Sequence, residues 1–342
     1  MKKKFTIAIE GGGTTTAISV LKGLSIQKEF NVRTILLDIT DEVSGKYFAD
    51  KFYITSPSKD DDYIEQVLNI CKKESVDIYI PIIDYGFEKL SDNTKKFNAL
   101  DVYIMITNPL GIAVCADKYA TFNFFLKNYI PTPKTWQVSH KIPKGLTFPF
   151  IVKPRCNGRA SLDVHVIDDV KSFSFYTQKN NNYIIQELVH GKEFTADCLS
   201  SLDGSVYIAS CIRERTEIKG GLSIKGKIVN KVVEKNIQIY LKKIIETLKI
   251  PGVCNIQGFI SDKNKIYFTE INPRFAGTHA YTIQVGLNSI LQILRMLNGK
   301  QISDIKSKIK INHDIQFLRY WNEVFINKST GKIWTWENSI KD

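Results

Sequence analysis

The side chains best suited to chemistry lie in residues 251–279, PGVCNIQGFISDKNKIYFTEINPRFAGTH, which predict a β-hairpin. Two segments rich in apolar and β-branched residues flank Ser-Asp-Lys-Asn-Lys, a composition typical of a turn. With the turn centred on this segment, Gln257 lies opposite Glu270. Because side chains alternate between the two faces of a strand, Asn272 shares the face of Glu270. The sequence therefore predicts three oxygen-bearing side chains around one spot.

The chemistry that this cluster favours is the binding of a metal ion beside a phosphate. Carboxylate and amide oxygens suit a hard cation such as Mg2+. Pro273 ends the strand and directs Arg274 back toward the carboxylate, and a guanidinium is a fork of donors suited to phosphate. The alternative is that Glu270 and Asn272 are solvent-facing residues of an edge strand.

The composition is that of a globular protein large enough for two or three compact units, with 342 residues, 43% of them hydrophobic and 24% charged. No apolar run approaches the roughly 20 residues that span a bilayer, so we expect no membrane partner. The scattered cysteines form no Cys-x-x-Cys pair, which indicates reduced thiols in a cytoplasmic protein. They are Cys71, Cys115, Cys156, Cys198, Cys211 and Cys254.

The formal net charge of +12 fits binding to a polyanion, and it also fits a lysine-rich composition spread over solvated faces. Lysines greatly outnumber arginines, so we interpret the charge as solvated surface and expect no nucleic-acid partner. A small molecule that carries phosphate is compatible with this interpretation. The sequence leaves the choice between a monomer and a homodimer open.

Strands and helices alternate over the first hundred residues, which predicts a doubly wound parallel sheet. The predicted strands are residues 5–9, 32–37, 77–83 and 102–106, and the predicted helices are residues 17–23, 63–75 and 87–100.

A glycine turn, Ile-Glu-Gly-Gly-Gly-Thr-Thr, lies between the first strand and the first helix. It fits a plain turn, and it also fits an anion site at a helix N-terminus. A third interpretation is that it resembles the first phosphate loop of sugar kinases of the actin and hexokinase fold. That interpretation requires a β-hairpin, rather than a helix, after Gly13.

The middle of the chain carries groups that can hold the rest of a nucleotide. A predicted strand ends in Lys153, and the following loop, residues 155–161, contains Gly158; together they can cradle phosphates. Lys153 also fits a plain surface lysine. Two further strands meet at Gly191, where exposed backbone can bind an adenine edge and Glu193 can accept ribose hydroxyls.

Farther along, residues 205–213 predict a strand, residues 219–221 a flexible Lys-Gly-Gly segment, and residues 236–249 an amphipathic helix. Residues 314–325 are too apolar to form a free tail, so we predict that they pack on the body. Arg319 in that segment fits a structural ion pair, with a contact to a substrate carboxylate as the alternative.

In their order, these motifs resemble the ATP-grasp superfamily, in particular its branch of carbamoyl-phosphate-synthetase large chains. Six features carry the resemblance: Asp117-Lys118 at a helix start, Val-Lys-Pro before a glycine-bearing loop, Gln-Glu-x-x-x-Gly-x-Glu, a flexible Arg/Gly-Gly segment, Asn-x-Gln, and Glu-Ile-Asn-Pro-Arg. The ordered set covers most of the chain and is more specific than any one motif. It implies an α/β ATP-grasp fold, α+β around the nucleotide, preceded by a doubly wound parallel-sheet domain.

The resemblance implies a role for each matching residue. Those that would hold ATP are Lys118, Lys153 and Gly158 at the phosphates, Glu187 and Val189 at the adenine, and Glu193 at the ribose. Those that would hold two Mg2+ ions, with Mn2+ as a substitute, are Gln257, Glu270 and Asn272. Arg274 would contact the transferring phosphate or acyl group and, with Lys153, is the implied catalytic residue.

The implied activity is that of an ADP-forming ligase for a small-molecule carboxylate and an amine, or less often a thiol, through an acyl phosphate. Two departures from carbamoyl-phosphate synthetase argue against bicarbonate chemistry. The phosphate loop has a single glycine, and residues 218–221, Ile-Lys-Gly-Gly, replace the His-Thr-Gly segment of that enzyme. The alternatives are the sugar kinase and a nucleotide-binding or basic interaction protein without turnover.

The resemblance also predicts domain boundaries. Residues 1–112 would form the N-terminal α/β domain, residues 113–188 a small lid subdomain with a linker helix, residues 189–300 a C-terminal subdomain with the metal site, and residues 301–342 an extension packed on the body. The lid would close over ATP.

Overall fold

The computed structural model describes residues 2–158, 163–179 and 182–335, and it opens with a five-stranded parallel sheet. Its strands are β1 (Lys4–Glu10), β2 (Asn31–Asp38), β3 (Lys51–Ile54), β4 (Ile78–Ile80) and β5 (Tyr103–Ile104). The strand order is β3-β2-β1-β4-β5. The accompanying helices are α1 (Thr15–Ile26), α2 (Tyr63–Glu74), α3 (Phe87–Asp92) and α4 (Thr94–Asn98), with 3₁₀ turns at Ser44–Phe48 and Asp84–Gly86.

The predicted doubly wound parallel sheet is confirmed. Alternate side chains of β1 enter separate cores, since Ile7 and Ile9 pack in one cluster and Ala8 packs in another. Burial on both faces is what a parallel sheet covered by helices on two sides requires. The short edge strand β3 was not predicted.

The single helix predicted for residues 87–100 is wrong, because α3 and α4 are separated at Asn93. The Nδ2 atom of Asn93 donates to the carbonyl oxygen of Lys89 at 2.8 Å. Side chains of this type compete with the backbone for helix carbonyls, which interrupts a helix.

Two helices, α5 (Pro109–Ala116) and α6 (Lys118–Lys127), join the N-terminal sheet to the rest of the chain. Only the second is predicted from the sequence. Asn108 caps α5, and the Asp117 side chain accepts hydrogen bonds from two amides in the first turn of α6. Asp117 thereby fixes where α6 begins and places Lys118 at its first turn.

The next unit is a four-stranded antiparallel sheet, here called the small sheet, with one helix. Its elements are β6 (Thr135–Gln137), β7 (Phe150–Pro154), β8 (His165–Ile167), α7 (Val170–Lys179) and β9 (Tyr183–Glu187). The strand order is β6-β9-β7-β8. Phe150, Val152 and Ile167 pack with Phe173 of α7 into a small core. Of the predicted phosphate loop that follows β7, residues 159–161 lie outside the described residues.

The large sheet has six strands. With its helix, the elements are β10 (Gly191–Ser200), β11 (Tyr207–Lys219), β12 (Leu222–Ile228), α8 (Lys231–Leu248), β13 (Val253–Ser261), β14 (Ile266–Asn272) and β15 (Gln316–Leu318). The order is β14-β13-β10-β11-β12-β15. One face of the sheet is apolar and packs on α8, whose predicted apolar residues Ile237, Leu241, Ile244, Ile245 and Leu248 are all buried. The opposite face is polar.

Residues 219–221, predicted to be flexible, lie at the turn of a hairpin that was not predicted. β11 continues to Lys219 and turns directly into β12. Gly220 and Gly221 form the turn with φ angles of 53° and 74°, a left-handed conformation that favours glycine. The Gly-Gly pair therefore marks the tip of a hairpin.

The C-terminal elements are α9 (His279–Gln284), α10 (Ser289–Leu297), α11 (Ile302–Lys308), β16 (Val324–Ile326) and β17 (Ile333–Thr335). In the apolar segment 314–325, Phe317 packs on Tyr281 with ring centroids 4.8 Å apart. The segment packs on the body as predicted, because β15 pairs with β12, although Leu318, Tyr320 and Trp321 are exposed. Across the described ranges, no helix combines the length and apolarity needed to cross a membrane.

Candidate functional site

The polar face of the large sheet brings the predicted metal ligands together. Gln257 pairs with Glu270 and Asn255 pairs with Asn272 across β13 and β14, so the register predicted from the sequence is confirmed. The ladder shifts by one residue between Gln257 and Gly258, beyond these pairs. The candidate ligands therefore remain on one face, whereas a slip between them would have separated them.

The oxygens of these side chains suit a hard cation. Gln257 Nε2 donates to Asn255 Oδ1 at 3.0 Å, which leaves Gln257 Oε1 available. Among the described residues, the Glu270 carboxylate accepts no hydrogen bond and forms no ion pair. No three His, Cys, Asp or Glu side chains in the described ranges form a metal-binding group. One carboxylate with two amides fits Mg2+, which keeps water ligands and takes further oxygens from a bound phosphate.

A buried ion pair lies beside the metal ligands on the same face of the sheet and was not predicted. Arg213 on β11 donates through Nη1 to Asp197 Oδ2 at 2.9 Å and through Nη2 to Asp197 Oδ1 at 3.2 Å. The Asp197 carboxylate also accepts from Asn255 Nδ2 at 2.9 Å and from Thr282 Oγ1 at 2.6 Å, and His279 Nδ1 lies 3.2 Å from it. Arg213 and Asp197 are almost completely buried.

This network positions the candidate ligands. Burial alone would raise the pKa of Asp197, but the Arg213 guanidinium and His279 together outweigh burial and hold that pKa well below its usual range. Because Asp197 binds Asn255 and Asn255 binds Gln257, a chain of hydrogen bonds runs from the ion pair to the metal ligand. Arg213 also donates to Thr278, in the segment that follows β14.

Arg274 leaves the end of β14 and reaches the N-terminal sheet. Its Nε lies 3.2 Å from Asp84 Oδ1, and its Nη1 donates to the carbonyl oxygen of Phe275 at 3.0 Å. Asp84 follows β4 at the carboxyl ends of the parallel strands, where open α/β sheets bind ligands. Arg274 therefore lies where the large sheet meets the N-terminal sheet.

The residues around the glycine turn hold the backbone that precedes Asp84. The buried Glu10 carboxylate accepts from the amides of Ile82 and Ile83, each at 3.0 Å, and burial raises the pKa of Glu10. The turn itself leads into α1 rather than into the β-hairpin that a sugar-kinase phosphate loop requires. The interpretation as a kinase loop is therefore wrong for residues 10–26.

The predicted phosphate ligands approach the metal ligands from the small sheet and α6. Lys153 Nζ donates to Gln186 Oε1 at 2.8 Å, and it interacts electrostatically with Lys118 and Glu270. Gly158 lies beside the other lysine, since a Cβ at this position would be 3.4 Å from Lys118 Nζ. The structure thus brings Lys118, Lys153 and Gly158 near Glu270.

The predicted adenine ligands lie apart from this group. Glu187 and Val189 line a cavity of about 480 Å3 beside the β13–β14 turn, whereas the metal ligands line a separate cleft of about 450 Å3. The Glu187 carboxylate accepts from the amide of Lys134 at 3.0 Å. Lys153 is hydrogen-bonded to Gln186, the residue before Glu187, and it interacts electrostatically with Glu270.

Glu193, predicted to bind ribose, forms an ion pair with Arg215 of β11. Burial raises the pKa of Glu193, and the Arg215 guanidinium opposes this shift. The pair uses Glu193 Oε1, and Oε2 accepts no hydrogen bond within the described ranges. Arg215 was not predicted as a functional residue, because nothing local in the sequence marks a partner 22 residues away on a neighbouring strand.

Positively charged side chains outnumber negatively charged ones along the cleft of about 450 Å3. The charged side chains that line it among the described residues are Lys118, Arg215, Arg274, Arg319, Asp84 and Glu270, and the first turn of α1 also faces it through Thr15 and Thr16. Arg319 Nη2 donates to the carbonyl oxygen of Gly277 at 2.6 Å. The structural ion pair favoured for Arg319 from the sequence is not formed with any described acid. Burial and the nearby Arg213 lower the pKa of Arg319, so the cleft favours an anionic ligand.

Two protein families match this chain. The ATP-grasp domain family matches residues 115–278, and the family described as PylC-like, N-terminal domain, matches residues 7–105. The first match contains all the predicted site residues from Lys118 to Arg274.

Curated relatives include the carbamoyl phosphate synthase large chain of Clostridium botulinum (strain Loch Maree / Type A3), which is 26% identical over 328 residues. That alignment covers 90% of this chain and 30% of the relative, so this chain spans less than a third of the length of such large chains. The D-alanine–D-alanine ligase of Petrotoga mobilis is 25% identical over 232 residues, covering 62% of this chain and 73% of the relative.

Solved structures share the fold. N5-carboxyaminoimidazole synthetase from Staphylococcus aureus, complexed with ADP, superposes with a TM-score of 0.68 at 16% identity, covering 88% of this chain and 79% of that one. Biotin carboxylase from Campylobacter jejuni gives a TM-score of 0.70 at 12% identity, covering 90% and 73%. An L-amino acid ligase from Bacillus licheniformis gives 0.69 at 16% identity, covering 91% and 78%.

Proposed function

Since the chain belongs to the ATP-grasp superfamily, we propose that it is a Mg2+-dependent, ADP-forming ligase that activates a carboxylate with ATP and joins it to an amine. The observation that carries this proposal is the polar face of the large sheet. Gln257, Glu270 and Asn272 lie together there, with Arg274 just after the same strand and Lys153 in electrostatic interaction with Glu270. The group supplies metal ligands and positive charge, which is what phosphoryl transfer requires from a protein.

In the proposed first step, a carboxylate oxygen of the substrate forms a bond to the γ-phosphorus of ATP. The bond from that phosphorus to the β–γ bridging oxygen breaks, and ADP leaves with the electron pair. Mg2+, when bound, neutralises phosphate charge and orients the transferred group. Lys118 and Lys153 hold the phosphates, and Arg274 stabilises the negative charge on the phosphoryl group as it is transferred.

In the second step, an uncharged amine attacks the acyl carbon of the acyl phosphate. The carbon–nitrogen bond forms, the carbon–oxygen bond to phosphate breaks, and the proton lost from nitrogen passes to the released phosphate or to water. A covalent intermediate on the protein is not part of this route. Cys115 lines the cleft, but burial raises its pKa, so it remains a thiol and a poor nucleophile.

The charges in the cleft support a carboxylate and an amine as substrates. Arg319 lacks an acidic partner among the described residues and suits a substrate carboxylate. Asp84 is half exposed in the cleft, and it suits the ammonium form of an amine before deprotonation. Two similar proteins are named as ligases of amino acids, which agrees with this charge pattern.

Two other functions remain as alternatives. A thiol in place of the amine would use the same acyl phosphate. A nucleotide-binding protein without turnover would have no need for an intact set of Gln257, Glu270, Asn272 and Arg274, which argues against it. ADP release with and without candidate acids separates such a protein from a ligase.

The experiment that tests the proposal intercepts the acyl phosphate. A thermal-shift screen with Mg2+ and a non-hydrolysable ATP analogue first identifies acids that stabilise the protein. Each such acid is then incubated with ATP, Mg2+ and hydroxylamine, and we expect a hydroxamate, ADP and phosphate in equal amounts. AMP and pyrophosphate would show adenylation and contradict the mechanism. A panel of amines in place of hydroxylamine then identifies the acceptor.

Nucleotide binding should weaken at alkaline pH because of Lys153. Burial and the neighbouring Lys118 lower the pKa of Lys153 to about 8. Only the ammonium form attracts phosphate, so we expect the dissociation constant of ADP to rise by up to roughly tenfold per pH unit above that pKa. Calorimetric titration with ADP across this pH range measures the effect. Lys153→Arg keeps its charge and should flatten the profile, whereas a flat wild-type profile would contradict this role for Lys153.

A further inference from the structure

Arg215 is bound by three different groups at the wall of the cleft. Its Nη1 pairs with Glu193 Oε1, its Nη2 donates to the carbonyl oxygen of Gly221 at 2.6 Å, and its Nε donates to Ser223 Oγ at 2.8 Å. The side chain is only 8% exposed. Because all three nitrogens of the planar guanidinium have a partner, the guanidinium fixes these partners relative to one another.

The strand register explains how these groups meet. Phe194 pairs with Glu214 across β10 and β11, so Glu193 and Arg215 are neighbours at the next position of the same ladder. The turn after Lys219 then folds β12 back, which brings Gly221 and Ser223 to the other side of the guanidinium. Gly221 and Ser223 line the cleft, so this hairpin forms part of its wall.

We propose that Arg215 is a positioning residue that joins the ribose-binding carboxylate Glu193 to the β11–β12 hairpin, so that bound nucleotide and the hairpin wall of the cleft stabilise each other. The inference rests on the proposed nucleotide site, in which Glu193 holds the ribose. It assigns to Arg215 an effect on binding that is exerted through Glu193, without contact to the nucleotide.

Two physical consequences follow from the geometry. The ion pair occupies Glu193 Oε1 and leaves Oε2, which has no partner in the described ranges, to accept the ribose hydroxyls. The same guanidinium donates to the carbonyl oxygen of Gly221. When ribose fixes the Glu193 carboxylate, Arg215 therefore also fixes the tip of the hairpin. Coupling of this kind is reciprocal, and a more rigid hairpin must raise nucleotide affinity by the same factor.

The first test compares ADP with 2′,3′-dideoxyadenosine diphosphate, which lacks both ribose hydroxyls. Calorimetry on the wild type should show tighter binding of ADP. Arg215→Gln should weaken ADP binding by roughly tenfold or more, as for loss of a hydrogen bond to a charged group, and leave the dideoxy analogue almost unchanged. Glu193→Gln should behave in the same way, and the double variant should be no weaker than Glu193→Gln alone, because both act through one contact.

The second test measures the hairpin. Hydrogen exchange of residues 216–226 should slow when ADP and Mg2+ bind to the wild type and should not respond in Arg215→Gln. Ser223→Ala removes one anchor of the hairpin and retains the Glu193 pair, so it should keep the preference for ADP over the dideoxy analogue and show weaker protection of the hairpin. Arg215→Lys keeps the charge and should lie between the wild type and Arg215→Gln in both measurements.

The outcomes separate this inference from the proposed function. If the wild type binds neither nucleotide, both are overturned. If the wild type prefers ADP and Arg215→Gln keeps that preference, or loses affinity for both nucleotides equally, only the role of Arg215 is overturned. If Arg215→Gln fails to fold, which circular dichroism reports, Arg215→Lys and Ser223→Ala decide by the same criteria.

Discussion

Glu270→Gln is expected to lower the rate of acid-dependent ADP formation by a factor on the order of 10² or more, while the protein stays folded and still binds ADP. Glu270 is the one carboxylate among the three candidate metal ligands, and Gln257 and Asn272 are neutral. Glutamine keeps the shape of the side chain and removes its charge. The variant then binds Mg2+ more weakly, so the charge of the transferring phosphate is less well neutralised in the transition state.

A second consequence acts on binding. The Glu270 carboxylate is one of the groups that raise the pKa of Lys153 against the effects of burial and Lys118. Its removal lowers that pKa below about 8. We therefore expect weaker ADP binding at neutral pH, with the largest loss on the alkaline side. Raising Mg2+ should recover part of the rate, because a weakened metal site saturates at a higher concentration.

The matched control is Glu65→Gln, which changes an exposed acid of α2 far from the cleft, paired only with Lys96 at 3.3 Å. Surface substitutions of this kind usually change stability by less than about 0.5 kcal/mol, so the rate should equal that of the wild type. The measurement is the steady-state rate of ADP formation at several Mg2+ concentrations. A wild-type rate in Glu270→Gln at limiting Mg2+ would remove Glu270 from the metal site.

The hairpin that carries the metal ligands could be predicted from the sequence for a physical reason. Side chains alternate with a period of two, and the turn composition fixes the centre of the hairpin, so the pairing of Gln257 with Glu270 follows from local information. The same applies to α8, whose apolar positions repeat with the helical period and are buried.

The groups that support the ligands could not be found in this way. Asp197 and Arg213 are 16 residues apart, and His279 is 82 residues from Asp197. Their contact depends on which strands become neighbours in the large sheet. Local composition also does not reveal the hairpin at residues 219–221, because Lys-Gly-Gly is equally typical of a flexible loop and of the tight turn that forms there.

The position of the predicted adenine ligands relative to the metal ligands could not be predicted from the sequence either. Glu187 and Val189 line a different cavity from Gln257 and Glu270. Glu187 and the metal ligands lie on different strands, and local sequence does not encode how those strands are placed relative to one another.

Asp197→Asn is expected to destabilise the protein by about 3–5 kcal/mol, the usual cost of removing one partner from a buried ion pair. Arg213 would remain buried with its charge uncompensated, since its side chain is 1% exposed. The effect depends on pH with a defined sign. The folded pKa of Asp197 lies below its unfolded value, so the stabilisation is complete above about pH 5 and is lost as pH falls through the folded pKa.

Urea unfolding at neutral pH measures this loss, and Glu29→Gln is the control. Glu29 pairs with Arg295 at 2.6 Å on the surface, where such a pair contributes about 0–1 kcal/mol. An Asp197→Asn variant no less stable than Glu29→Gln would contradict the assignment of a buried ion pair.

Replacing both partners separates the cost of an unpaired charge from the value of the pair itself. In Asp197→Leu combined with Arg213→Met, both charges of the pair are removed, so the double variant should regain most of the stability lost in Asp197→Asn. Metal binding should not recover with it. Asn255 would still lack the carboxylate that it donates to at 2.9 Å, and Gln257 would lose the chain that orients its amide. A stable double variant that requires more Mg2+ for turnover would therefore show that the ion pair serves the site, whereas one with unchanged Mg2+ dependence would limit its role to the fold.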